Sequence, residues 1–426
     1  MAQKSEETLS VPDLEKADDK QLHPQDLPPD GGRGWAVVVS GFIVNLVVFG
    51  QSTIFGVYQE EYTKVYPETP ILQITFIGGL NLGLIFLLGP LVAPIVSKIG
   101  YRIPMLFGSV VLSLGLALAS LASQIWHLFL TQAALFGIGS SFLFLSSIGL
   151  VPQWFNKRRG LAVGICTAGS GVGGIVLAPF QRYLISRLGM AWCMRVMAFV
   201  FLGLCLIATL LARPRISAAQ RKQANKSFDL SLLRLPGFLS FIAFSFMNMF
   251  GYSQSFFFLP TYATSIGLTP EDGALFVGLM CGMNAISRIL CGFLGDRLGR
   301  INMQFIFVFL SGLTCLFIWN FAKSYGAMLA FSLLNGVTGG AFWGLTPTVV
   351  AEIVGIDKIG SGLSIAYLSI VIPFVFGGPV SAALLQSTNP PSYVPLITFT
   401  GLALSVGSLF LIHTKLWKNP NILAKV

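Results

Sequence analysis

Apolar runs of about twenty residues, each long enough to cross a bilayer core, recur from Trp35 to His413 with only short polar intervals between them. A soluble core has no way to hide so many. Charged residues make up 10% of the chain, against about 25% in soluble domains, and they fall in the intervals. The runs are Trp35–Tyr58, Leu72–Val96, Ile103–Ser123, Trp126–Val151, Gly160–Leu184, Ala191–Leu211, Phe238–Tyr262, Gly273–Leu294, Met303–Phe321, Ala327–Val350, Gly362–Leu385 and Val394–His413. The expected fold class is an all-α membrane protein with twelve transmembrane helices.

The intervals orient the chain. With the N-terminus inside, Lys98, Arg102, Lys157, Arg158, Arg159, Arg213, Arg215, Arg221, Lys222, Lys226, Arg234, Arg297, Arg300, Lys358, Lys415, Lys418 and Lys425 fall on the cytoplasmic side. Only Lys64, Arg182, Arg187 and Lys323 fall outside. This is the positive-inside bias, and an odd number of spans would destroy it. Both termini are expected in the cytoplasm, with the plasma membrane the first address and an internal membrane such as the vacuole the second. The net charge of +10 is loop charge rather than a solvated basic face, so nucleic acid is not an expected partner.

Residues 1–33 are polar and acidic, without apolar periodicity, and read as a disordered cytoplasmic tail. The first apolar run is too long for the h-region of a cleavable leader. Segment 34–212 reads as a first six-helix half, 213–236 as a cytoplasmic central loop, 237–415 as a second half and 416–426 as a C-terminal tail. Asn225-Lys226-Ser227 matches a glycosylation pattern but falls in the central loop, where no modification is expected. The six cysteines lie inside apolar runs with no metal-ligand spacing, and read as small packing residues. No metal or cofactor is called for.

The halves repeat each other. Ser97-Lys98-Ile99-Gly100 and Asp296-Arg297-Leu298-Gly299 lie 199 residues apart, as do Gly137 and Gly336; Ala178-Pro179 and Gly378-Pro379 lie 200 apart. Duplicated six-helix halves are a mark of secondary transporters, which hold their cargo where the halves meet.

Gly292-Phe293-Leu294-Gly295-Asp296-Arg297-Leu298-Gly299-Arg300 resembles the loop signature of the major facilitator superfamily. Its glycines permit a tight turn and close helix approach. Its aspartate can accept charge-assisted bonds from a nearby arginine or helix N-terminus and so latch one conformation. The first-half copy has Ser97 in place of the acid. Two further stretches, Asp30-Gly31-Gly32-Arg33-Gly34-Trp35 and Trp154-Phe155-Asn156-Lys157-Arg158-Arg159-Gly160-Leu161-Ala162-Val163-Gly164 with Ala168-Gly169-Ser170-Gly171, resemble the monocarboxylate-porter family, particularly its fungal members. The resemblance covers the chain after residue 29, with Arg33 standing where the family has an aromatic. It implies the major facilitator fold of two pseudo-symmetric six-helix halves. Gating is expected of Asp296, Arg297, Gly299, Arg300, Lys157, Arg158 and Arg159. Gly164, Gly169, Gly171, Gly173 and Gly174 form a small-residue face for close packing.

A charge inside a span is costly and marks a functional site by default, and Arg288 lies inside span eight about two turns from its inner end. The family places a substrate- or proton-linked arginine in this helix, with an aspartate four residues earlier; here that position is Asn284, on the same helix face. The alternative roles for Arg288 are snorkelling to the interface and pairing with a gating carboxylate. The family's span-one lysine falls near Thr53. With neither charge in place, the family's name is a poor guide to the cargo. Asn45, Asn81, Asn248, Tyr252 and Asn335 join Arg288, Asn284 and Thr53 as candidate substrate-binding residues, and Phe142, Phe144, Phe342 and Trp343 as a candidate aromatic wall. Together they suit an amphipathic organic substrate. For a co-transported proton the carboxylates to consider are Glu60, Glu61 and Glu352.

The expectation is a secondary transporter, monomeric and embedded in the lipid bilayer. It would move an organic acid or amphipathic metabolite by alternating access, and export of a fungal secondary metabolite falls within that reading. The other reading is a non-transporting sensor on a transporter scaffold. An enzyme is not expected: there are no paired carboxylates and no histidine cluster, and His23, His127 and His413 stand apart. No phosphate-binding loop suggests ATP drive.

Overall fold

The computed structural model describes residues 30–69, 71–215, 229–356, 358–389 and 392–421. Among them the chain crosses back and forth as twelve helical spans. These are α1 (Gly34–Thr53 and Phe55–Val65), α2 (Ile71–Leu87 and Gly89–Ile99), α3 (Arg102–Ala119), α4 (Ile125–Trp154), α5 (Arg159–Leu188) and α6 (Met190–Leu211), then α7 (Pro236–Ser265), α8 (Pro270–Leu298), α9 (Arg300–Phe321), α10 (Tyr325–Val354), α11 (Ile359–Gln386) and α12 (Val394–Lys418). By length and apolarity ten of them qualify as membrane spans, and α2 is the eleventh once its two segments, bent by 46°, are joined. The twelfth, α7, is 30 residues long. Its middle is made polar by Asn248, Ser253, Gln254 and Ser255, all buried against protein rather than exposed to lipid. Outward-facing Phe199, Leu210, Phe317 and Phe321 are exposed, as suits a surface solvated by hydrocarbon. The protein is an integral, multi-pass membrane protein.

The breaks have local causes. In α2 the second segment opens with Gly89-Pro90, and proline cannot donate to the helix ladder. In α11 the break at Ile370 falls just ahead of Pro373. At the α1 break no proline is involved; Ser52 bonds back to the Val48 carbonyl at 2.8 Å and Thr53 to that of Phe49, competing with the backbone ladder. At its other extreme α8 starts with a capping box, Thr269 and Asp272 satisfying each other's backbone N–H.

The repeat read in the sequence is present in three dimensions. Gly100 and Gly299 end α2 and α8 in the same way, with φ of 94° and 99° that only glycine adopts freely. Gly137 of α4 packs on Asn81 and Leu84 of α2, while Gly336 of α10 packs on Met280 and Met283 of α8; these partners also lie 199 residues apart. The halves α1–α6 and α7–α12 meet mainly where α5 lies along α8 and where α2 lies along α11. Asp30, within the expected tail, is docked on the α4–α5 loop. Residues 1–29, most of the expected tail, lie outside the described residues, as do the glycosylation pattern and most of the central loop. Within that loop Leu230–Arg234 forms a short 3₁₀ helix ahead of α7.

Candidate functional site

α8 runs on to Leu298, beyond the expected Leu294, so Arg288 stands ten residues from the helix end. That is about 15 Å along the axis, in the middle part of a helix about 43 Å long rather than near its end. The side chain is buried. Its Nε donates to Asn284 Oδ1 at 3.1 Å, and Nη1 donates to the Thr167 carbonyl at 2.7 Å and to Ser170 Oγ at 2.5 Å. The Tyr252 hydroxyl, from α7, reaches the same Asn284 oxygen at 3.5 Å. Every one of these acceptors is neutral. Among the described residues no carboxylate forms an ion pair with Arg288. A guanidinium at this depth without a counter-charge costs several kcal/mol.

The close seam between α5 and α8 makes this possible. A Cβ on Gly164 would stand 2.2 Å from the Arg288 carbonyl, and one on Gly171 would stand 2.5 Å from Ala285 Cβ. The opposite face of α5 packs equally tightly on α1, with Gly169 against Phe42 and Gly173 against Gly50. Gly174 faces open space.

Next to this group, aromatic rings from both halves pack together. Phe86 of α2 stacks on Phe374 of α11 (centroids 5.9 Å, 5° between planes) and on Trp343 of α10 (5.8 Å, 27°). Phe49 of α1 lies 5.8 Å from Trp343, and Phe144 of α4 lies 5.6 Å from Tyr367 of α11. Tyr252 meets Trp343 edge-on at 6.3 Å, which ties the rings to the Arg288 group.

At the end of the molecule where the α4–α5 and α8–α9 loops lie, a second constellation bridges the halves. Asp296 Oδ1 accepts the Gly160 N–H at 2.8 Å and Oδ2 accepts the Leu161 N–H at 2.9 Å, at the N-terminus of α5. Arg300 Nη2 donates to Asp296 at 2.9 Å and to the Asn156 carbonyl at 2.7 Å, while Nη1 pairs with Glu352 at 2.5 Å. Below this, Gly160 and Gly292 touch backbone to backbone. Asp30 holds the same loop from the other side, accepting the N–H groups of Asn156 at 2.8 Å and Arg158 at 3.1 Å, and Trp35 packs edge-on against Phe155 at 5.1 Å. The two sequence stretches on either side of α1 and α5 are thus one interlocked unit.

A profile described as Major Facilitator Superfamily matches residues 37–319 and 285–422. The chain belongs to the Major Facilitator Superfamily. An MFS-type transporter of Gibberella moniliformis is 31% identical over 95% of both chains. The Agnestins efflux protein AgnL12 of Paecilomyces divaricatus is 29% identical over 92% of this chain and 90% of its own, and the Probable transporter MCH2 of Saccharomyces cerevisiae is 28% identical over 88% and 80%. The fungal type read from the motifs therefore holds. Among solved structures, a double Trp mutant of XylE aligns with a TM-score of 0.73 at 14% identity, covering 89% of this chain and 95% of that one. FucP in the outward conformation aligns with a TM-score of 0.69 at 15% identity over 89% and 98%.

Within this facilitator the sequence-predicted residues separate into groups. Arg288, Asn284 and Tyr252 come together. Asn45 bonds the Gly41 carbonyl at 2.8 Å beside Cys166, and Asn335 bonds Ser311 and Thr314, so both stitch helices within a half. Asn248 is buried in α7, and its amide nitrogen has no partner among the described residues. Asn81 lines a separate pocket of about 10 Å³ with Gln51, Ser52 and Gln132. Thr53 is exposed and bonded to its own helix, away from Arg288. Of the residues expected to gate, Asp296 and Arg300 are joined to each other and to the α5 end of the first half, and Gly299 turns the chain after α8. Arg159 braces the loop through the Phe155 carbonyl at 2.9 Å. Arg297 instead lies over the Phe293 ring at 4.2 Å, and Lys157 and Arg158 are exposed. Phe142 packs on Phe107 at 4.9 Å, outside the aromatic group. Sequence reading missed Thr167, Phe49, Phe86, Tyr367 and Phe374, since an aromatic or threonine inside an apolar span carries no signal of the face it occupies. The side chain of Glu60 lies outside what the structure describes.

Proposed function

We propose that the protein is a secondary carrier that moves an organic anion, or an amphipathic metabolite bearing an acidic group, by alternating access of its two halves. One observation carries the reading: Arg288 is a buried guanidinium in the middle part of a membrane span, held between α5 and α8 by acceptors that, among the described residues, are all neutral. An anionic group arriving there removes the uncompensated charge, which is binding energy available to the substrate alone. Asn284 and Tyr252 orient the guanidinium. The aromatic rings supply the apolar contact, and the Asp296 latch holds one of the two states. The fungal relatives, an efflux protein among them, support outward movement of a metabolite. The basic loops support a cytoplasmic placement of the latched end and of both termini, in the plasma membrane. The carrier acts as a monomer with a small-molecule substrate, and a co-transported proton is a further outcome to test.

The test begins with an untargeted comparison of metabolites inside and outside cells with and without the gene. The acid whose distribution shifts is then offered to proteoliposomes. Arg288→Ala is expected to abolish uptake while the protein elutes and melts as a folded species. Wild-type rates in that variant would overturn the assignment. An imposed pH gradient that drives accumulation marks proton coupling, and equal flux with and without it marks a facilitator.

A further inference from the structure

The rings beside Arg288 come from six helices and from both halves. Phe49, Phe86 and Phe144 belong to α1, α2 and α4; Tyr252, Trp343, Tyr367 and Phe374 belong to α7, α10 and α11. The contacts that close the centre are those between halves: Phe86 with Phe374, Trp343 and Tyr367, Phe49 with Trp343, and Phe144 with Tyr367. Ordinary apolar packing in a membrane bundle uses small residues and aliphatic side chains, because lipid already solvates apolar surface. At this centre, unlike the glycine-lined α5–α8 seam, the two halves meet on rings, and two of the pairs between halves are stacked, with planes 5° and 27° apart. Rocking of the halves must part these faces. A flat conjugated molecule entering between them restores stacking on both sides, whereas a saturated molecule of the same size restores only area. Phe86, Phe144 and Tyr367 are fully buried, so the rings are withheld from lipid and available only to what enters between the halves.

We infer that the cargo is a planar, conjugated organic anion. Its ring system lies between Phe86 and the Trp343–Phe374 faces, and its acidic group lies on Arg288. The inference rests on the anion-carrier reading above and adds the chemistry of the rest of the molecule.

The experiment uses the purified full-length carrier in lipid nanodiscs and three probes. Naphthoate has the flat rings and the carboxylate. Decahydronaphthoate keeps the carboxylate and bulk without π faces. Naphthalenemethanol keeps the rings without charge. Binding is read by calorimetry. Naphthoate is expected to bind on the order of tenfold more tightly than decahydronaphthoate. Trp343→Leu and, separately, Phe86→Leu are expected to erase that preference, each verified as folded by its elution and melting. Arg288→Gln is expected to weaken both acids alike, to leave the preference in place and to leave naphthalenemethanol unaffected. If both acids bind equally, or the ring variants weaken both by the same factor, the rings are packing only. The planar-cargo inference then falls while the anion reading stands. If neither acid binds, or Arg288→Gln changes neither, the anion reading falls and takes this inference with it.

Discussion

Gly160 at the start of α5 and Gly292 near the end of α8 meet so closely that a Cβ on Gly292 would stand 2.2 Å from the Gly160 carbonyl oxygen. No side chain can be relieved there, because the obstacle is backbone. Gly292→Ala is therefore expected to force the helix ends apart, at a cost of about 1–3 kcal/mol to the closed state. Cysteine-accessibility labelling at the α5 N-terminus should rise accordingly. Gly174→Ala is the control, since nothing lies within 4 Å of its added methyl. Labelling that is the same in both variants would show that this contact does not hold the end shut.

The latch is asymmetric between the halves. Asp296 crosses to two backbone N–H groups of α5, but its counterpart Ser97, among the described residues, bonds only the Pro94 carbonyl of its own helix at 2.9 Å. A hydrogen bond to a charged group contributes about 1.5–3 kcal/mol. Asp296→Asn keeps one acceptor oxygen and loses the charge, so the closed population should fall roughly tenfold for each 1.4 kcal/mol lost. Ser97→Ala should change nothing. Spin-label distances between the halves at this end report both, and an unmoved distribution in Asp296→Asn would refute the latch.

The same loop is held from outside by Asp30. Removing its carboxylate in Asp30→Ala leaves the Asn156 and Arg158 N–H groups without their acceptor and places alanine at φ 50°, a conformation it resists. A cost of about 1–2 kcal/mol is expected, read as a lower melting temperature and faster amide exchange confined to the α4–α5 loop. Asp30→Asn, which tolerates that backbone and keeps one acceptor, should be milder. Equal effects would mean the charge matters and the geometry does not.

Much of this was legible in the chain because it is written in residue types with few alternative explanations. Twelve apolar runs, glycines at a fixed offset and an aspartate beside a glycine turn led to the spans, the repeat and the latch. What the sequence left open is which face a residue occupies. Asn45, Asn335 and Asn284 look alike inside apolar runs, yet two of them stitch a single half together and only Asn284 meets Arg288. The extension of α8 to Leu298 is hidden in the sequence because Gly295, Asp296 and Arg297, residues that usually mark a helix end, lie within it. The aromatic closure was unreadable, as it depends on pairing between segments more than 200 residues apart, such as Phe86 and Trp343.

One surface pair gives a pH dependence with a definite sign. The Asp229 carboxyl, ahead of α7, is held down from 3.8 to about 2, first by the Ser231 hydroxyl at 2.5 Å and then by Lys358 at 3.0 Å. A depressed carboxyl stabilises the fold above its ordinary value and ceases to do so as pH falls through the folded value. The melting difference between wild type and Asp229→Asn should therefore be constant above about pH 5 and shrink as pH falls toward 2. It should be small throughout, because the pair is solvent-exposed. A difference that grows on acidification would contradict the assignment.

Stability and substrate binding pull in opposite directions at the central site. Asn284 Oδ1 lies 3.1 Å from Arg288 Nε, so Asn284→Asp places a carboxylate where the neutral amide now stands. The guanidinium then has a counter-ion within the protein. The paired charge should raise the melting temperature of the unliganded carrier, since an unpaired buried charge is what the fold now tolerates. The same pairing removes what an anionic substrate would gain by binding, so affinity for an aromatic acid such as naphthoate should fall on the order of tenfold or more. The two effects point in opposite directions, and a purely structural role for Arg288 moves only the first. Affinity unchanged in a more stable Asn284→Asp protein would mean that Arg288 holds α5 to α8 and that the anion sits elsewhere.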